Sequence, residues 1–124
     1  MHKYEFTVST IPHFLADQSE PDADHYFFAY TVTIRNTGEV AGQLISRHWI
    51  ITDGDGLVHE VRGEGVVGKQ PVLQPGESFE YTSGCPLSTP VGSMKGSYQC
   101  VAADGTKFNA EIPEFVLSMP RTLH

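Results

Sequence analysis

At 124 residues the chain is one domain of ordinary size, expected to span 1–124, and long enough to bury a core without disulfides or metal. With 40% hydrophobic and 19% charged residues it is neither disordered nor membrane-spanning, because no run of about 18 apolar residues occurs. A formal net charge of −7, from 8 scattered cations against 15 acids, argues against nucleic acid and anionic membranes as partners, since both need clustered Lys and Arg.

The N-terminal Met1-His2-Lys3-Tyr4-Glu5 carries no apolar stretch of a secretory leader, so the expected location is the cytoplasm. A first strand is expected over Tyr4–Pro12, where Tyr4, Phe6 and Val8 alternate with Glu5, Thr7 and Ser9. An acidic loop, Ala16–His25, follows. Its Asp22, Asp24 and His25 are oxygen and imidazole donors that a divalent cation could use, but the Gly and terminal Glu of a calcium loop are missing. The expectation is a solvated loop, with no metal and no cofactor.

Tyr26–Arg35 has the clearest strand pattern, with Phe28, Tyr30, Val32 and Ile34 on one face. It ends at the turn signal Asn36-Thr37-Gly38. Leu44–Thr52 is the next strand. Its Arg47 and Trp49 share one face while Ser46 and His48 share the other; Trp49 reads as core, and for Arg47 both recognition and plain surface stand open. Asp53-Gly54-Asp55-Gly56 predicts a hairpin turn into a strand at Leu57–Val61.

Residues 62–69, Arg62-Gly63-Glu64-Gly65-Val66-Val67-Gly68-Lys69, contain the spacing of a dinucleotide-binding loop. That fingerprint works by aiming a helix N-terminus at a pyrophosphate, and here two prolines and a glycine within Lys69–Gly76 preclude the helix. Read as a phosphate loop, Gly63 to Gly68 and Lys69 fit, but Gln70 replaces the magnesium-binding hydroxyl. The glycines are therefore expected to serve as bends between sheets. The alternative is an anion site at Arg62, Gly63, Gly65, Gly68 and Lys69, where amides at positive φ form a concavity.

Gln74-Pro75-Gly76-Glu77 predicts a type II turn into a strand at Ser78–Ser83. Cys85 reads as a thiol in or beside a turn and Cys100 as a small core residue, both reduced; a bridge between them is the alternative. Gly96–Ala102 and Thr106–Leu117 are expected to pair across a turn at Asp104-Gly105, with Pro113 breaking or bending the second strand. About seven or eight strands without helical periodicity predict an all-β protein, a β-sandwich of two antiparallel sheets in preference to a barrel. No nucleophile elbow, HExxH or paired Cys/His signature accompanies them, so a non-enzymatic module is expected.

The segments at 27–38 (FFAYTVTIRNTG), 44–56 (LISRHWIITDGDG), 61–87, 92–100 (GSMKGSYQC) and 108–117 (FNAEIPEFVL) together resemble the bacterial ApaG family over nearly the whole chain. The resemblance implies a fibronectin type III-like, or immunoglobulin-like, β-sandwich. It brings no catalytic residues. The family is named for a gene neighbour that hydrolyses diadenosine tetraphosphate, and it is linked to cobalt resistance and magnesium efflux. Related domains in F-box proteins and a polymerase-interacting protein look like protein-binding modules. The resemblance thus implies another protein as partner; the glycine loop at Gly63–Lys69 offers a phosphate-bearing small molecule as the alternative.

Overall fold

The computed structural model describes residues 2–120. Eight strands form two antiparallel sheets: β1 (Phe6–Phe14), β2 (Tyr26–Asn36), β3 (Gly42–Asp53), β4 (Val58–Glu64), β5 (Val72–Leu73), β6 (Ser78–Leu87), β7 (Val91–Ala102) and β8 (Lys107–Ser118). One sheet has the order β1-β2-β6, the other β4-β3-β7-β8, with the two-residue β5 continuing the β4 side of β3. The chain changes sheets between β2 and β3, between β5 and β6 and between β6 and β7, as in a fibronectin type III-like sandwich. Two short 3-10 turns, Ala16–Gln18 and Pro21–Ala23, occupy the acidic loop.

The alternation in β2 sends Phe28, Tyr30, Val32 and Ile34 into the core. Each is worth roughly 1.5–3 kcal/mol when buried, more than the roughly 0.5–1.5 kcal/mol net of one hydrogen bond, so the apolar face decides which way the strand lies. Turn chemistry ends the strands where expected. The Asp53 carboxylate accepts the amides of Asp55 and Leu57, and Gly56 sits at φ +84. Gly76 (φ +87) and Gly105 (φ +89) close the two other turns. Asn36, expected merely as a turn residue, is buried; its amide donates to the carbonyls of Val40 and Leu73 and its carbonyl accepts the Gly38 amide.

The strands run longer than their patterns suggest, and two bulges explain why simple alternation understates them. On β3, Leu44 pairs with Cys100 and Ser46 with Gln99, so Ile45 is an extra residue. The bulge shifts the inward face from Gly42 and Leu44 to Arg47, Trp49, Ile51 and Asp53. On β8, Ile112 pairs with Gly96 and Phe115 with Met94, so Pro113 and Glu114 face one residue of β7. Pro113 bends the strand without ending it, and the inward face passes from Ala110 and Ile112 to Phe115 and Leu117.

Cys85 corrects its expected place. It lies within β6, paired with Phe28 and buried, because β6 runs four residues past Ser83. Cys100 is core as expected, and both thiols are free.

Candidate functional site

The two sheets do not match in width. β1 lies against β8, which closes one side of the sandwich. On the other side the first sheet ends at β6 while the second continues one strand further, to β4. In register with Ile51, Trp49 and Arg47, the β4 residues His59, Val61 and Gly63 face inward, yet among the described residues no strand of the first sheet covers them. The result is a cleft of about 380 Å³ between β6 and β4, lined among others by Tyr30, Trp49, Val61, Ser83, Cys85 and Met94. A second recess of about 300 Å³ shares Tyr30, Arg47, Trp49 and Ser83 and runs on to the glycine segment.

The floor is aromatic and rigid. The Trp49 ring meets Tyr30 edge-on at 5.2 Å and Phe115 at 6.0 Å, and Trp49 is 3% exposed. Beneath it the Tyr81 and Tyr98 hydroxyls hydrogen-bond to each other across the two sheets. Across the cleft Val61 remains 41% exposed although it faces the interior.

Arg47 lies where the two recesses meet. Its guanidinium passes over Gly63, where a Cβ would stand 2.6 Å from the nearest guanidinium nitrogen. Its Nη1 donates to the carbonyls of Glu64 (3.0 Å) and Gly65 (2.9 Å). Among the described residues no carboxylate lies within 4 Å of it, whereas His48 and Arg62 both reach Glu60 on the outer face. Arg47 is thus a half-buried cation held by carbonyls and lacking a counter-ion.

The candidate anion-binding residues are divided among four roles. Arg62 projects from the outer face of β4 beside Glu60. Gly63 is a strand residue that makes room for Arg47. Gly65 (φ +65) turns the chain so that Val66 enters the core at 1% exposure. Val67 and Gly68, at φ +45 and +79, form a tight reversal closed by reciprocal bonds between the Val66 and Lys69 backbones (2.8 and 2.9 Å). The amides of Gly65, Val66 and Lys69 are taken by carbonyls; those of Val67 and Gly68 have no partner among the described residues. In the acidic loop, Asp24 takes the left-handed conformation (φ 56) and His25 pairs with Glu20. Among the described residues no three His, Cys, Asp or Glu side chains are grouped to hold a metal ion.

The titratable groups of the cleft are tuned away from reactivity. Burial pushes the Cys85 thiol up to about 11 and the Tyr81 phenol up to about 12, and raises Tyr30 as well. At neutral pH all three are protonated, so the cleft holds neither a thiolate nor a phenolate. The Asp53 carboxylate is committed to turn amides.

Sequence reading left Arg47 open between recognition and plain surface and missed the inward but exposed place of Val61. A usable signal existed. Counting back from the Asp53–Gly56 turn places Gly63 directly opposite Arg47, a small residue facing a long cation.

Strand order, bulged inward faces and a glycine reversal at the open side define this molecule as a fibronectin type III-like β-sandwich module. The chain belongs to the ApaG domain family, whose model matches residues 16–102. It is similar to Protein ApaG of Dechloromonas aromatica, 65% identical over 99% of this chain and 97% of that protein. Protein ApaG of Ralstonia nicotianae is 62% identical with both chains covered fully. A Bordetella pertussis protein of known crystal structure superposes with a TM-score of 0.95, at 59% identity over 98% of each chain.

Proposed function

We propose that this domain is a non-enzymatic binding module whose partner is another protein, engaged at the open side between β4 and β6. The observation that carries the reading is the unmatched strand. Because the first sheet is one strand short, the apolar Val61 stays exposed in a concave site floored by the buried Trp49 and Tyr30. Surfaces of that kind, with an aromatic anchor and an Arg, supply most of the energy in protein interfaces. The protonated state of Cys85, Tyr81 and Tyr30 supports binding over catalysis.

Affinity capture from native lysate tests this, with the wild type compared with Val61→Arg. A reproducible protein retained by the wild type and lost by the variant is expected. No specific protein, or identical recovery by both, overturns the reading.

A second reading keeps a phosphate-bearing small molecule at Gly63–Lys69. It is favoured by the free amides of Val67 and Gly68, with Lys69 beside them and Arg47 behind the loop. Titration with pyrophosphate and diadenosine polyphosphates should then move those two amide resonances. Amides that stay put at millimolar ligand remove it.

A further inference from the structure

Resting on the protein-binding reading, we propose that the open side takes an extended segment of the partner as an added strand along β6, with a carboxylate of that segment seated on Arg47.

The first support is the missing place in the sandwich. A fourth strand beside β6 would lie over the inner face of β4 and cover Val61 and His59, matching four strands to four. Hydrogen-bond phase shows that β6 is ready to pair. The Asn36 amide donates to the Glu77 carbonyl and the Asn36 carbonyl accepts the Gly76 amide, so even-numbered residues of β2 turn toward β6. In that register Phe79, Tyr81, Ser83, Cys85 and Leu87 exchange bonds with β2, leaving the amides and carbonyls of Glu80, Thr82 and Gly84 aimed at the open edge. The hydroxyls of Thr31 and Thr82 meet at 2.9 Å, as the closer, non-hydrogen-bonded pairs of an antiparallel ladder allow. Pro86, without an amide hydrogen, ends the usable edge. By contrast the edge of β4 carries Glu60, Arg62 and Glu64 in a seven-residue strand, a charge pattern that discourages pairing.

The second support is charge. Arg47 has five N–H donors, and among the described residues only Nη1 is bonded. A half-buried guanidinium beside Tyr30 and Trp49 favours a carboxylate, which accepts two parallel bonds in its fork. The chain has 15 acidic residues, yet among the described ones none sets a carboxylate within 4 Å of this cation. Asp53, at the far end of the cleft, is bonded to turn amides, and Glu64 gives Arg47 its backbone carbonyl, so the complementary charge comes from the ligand. On an extended ligand, side chains alternate. Residues two before and two after the acid share its face; one meets the apolar cleft of Trp49, Val61 and Met94, the other the second recess beside Val66 and Val67. The recognised chemistry is therefore an extended peptide reading apolar, any, acidic, any, apolar.

The test is selection of random decapeptides displayed against the intact protein. Expected is enrichment of Asp or Glu flanked at two positions on each side by apolar residues, with shifts in the amides of Glu80, Thr82 and Gly84. Replacing that acid by its amide in the best peptide should weaken binding about tenfold or more, as should N-methylation of alternate amides. Arg47→Gln should match the loss and Arg47→Lys should recover part of it; the peptide-side changes keep the test valid should Arg47→Gln melt early. Peptides without a shared acid, insensitivity to the amide swap or to N-methylation, or displacement by free acetate alone would overturn the proposal. So would shifts confined to Gly65–Lys69, or a dimer that buries the cleft without peptide. Selection of no peptide overturns the added strand as well, while lysate capture sensitive to Val61→Arg would still leave the module reading standing.

Discussion

The two sides of this sandwich are built from similar residues and differ in completeness. Along β1 and β8 the Phe6 and Phe108 rings meet edge-on at 5.3 Å, the Tyr4 hydroxyl donates to Asp104, and Gly42 keeps its backbone tight beneath both rings. Along β6 and β4 the aromatic floor is as well ordered, but the covering strand is absent and a lone guanidinium takes its place. The comparison teaches that strand count, more than residue type, separates a core from a candidate binding surface here.

The contrast breaks most visibly if the closed side is emptied. Phe6→Ala should cost about 3–5 kcal/mol in denaturant unfolding, because the cavity opens onto Phe108 and neither sheet can collapse to fill it. On the open side, Gly65→Ala should cost about 2 kcal/mol. Its Cβ would stand 2.4 Å from the Lys69 carbonyl oxygen, at a φ disfavoured for alanine. Chemical melts that rank Gly65→Ala as neutral would show that the reversal does not hold Val66 in the core.

Alkali tests whether the two sides unfold together. Cys85 borders the cleft and Cys100 lies opposite Phe108, with burial raising them to about 11 and about 12; burial likewise raises Tyr81 to about 12. Such groups stay protonated longer in the folded state than in the unfolded chain. Their contribution is fully present below about pH 9 and is lost as pH climbs through the folded values. Melting temperature should be flat from pH 7 to 9 and then fall in one cooperative transition; separate transitions would mean the sides are independent.

Smaller effects sharpen the picture. Val67→Gly should stabilise by about 0.5–1 kcal/mol, since a β-branched residue at φ +45 is strained and glycine is not. Val61→Ser should change stability by no more than about 0.5 kcal/mol, yet remove partner capture. A stability loss as large as that of Phe6→Ala would mean the cleft is core and no surface at all.

Much of the fold was legible in the residues. The alternation of Phe28, Tyr30, Val32 and Ile34 required a strand with one buried face, and the Asp-Gly and Pro-Gly turns carried their chemistry in the side chain or the missing Cβ. Local preferences of that kind need no partner. The site was less legible. Arg47 and Trp49 share a face in any extended reading, but only the extra residue at Ile45 brings them inward together with Leu44. Pro113 was visible as a disturbance, whereas its bulge, which sends Phe115 to Trp49, depends on pairing with Met94 and Gly96.

By itself, then, the sequence determined the all-β character, the turns, the burial of the strong apolar faces and the membership of a family. Tertiary structure alone decided the phase of β3 and β8, the overhang of β4 and the isolation of Arg47. The physical reason is that a side chain's period along a strand is local, while bulges, sheet width and missing counter-charges arise only when one strand is laid against another.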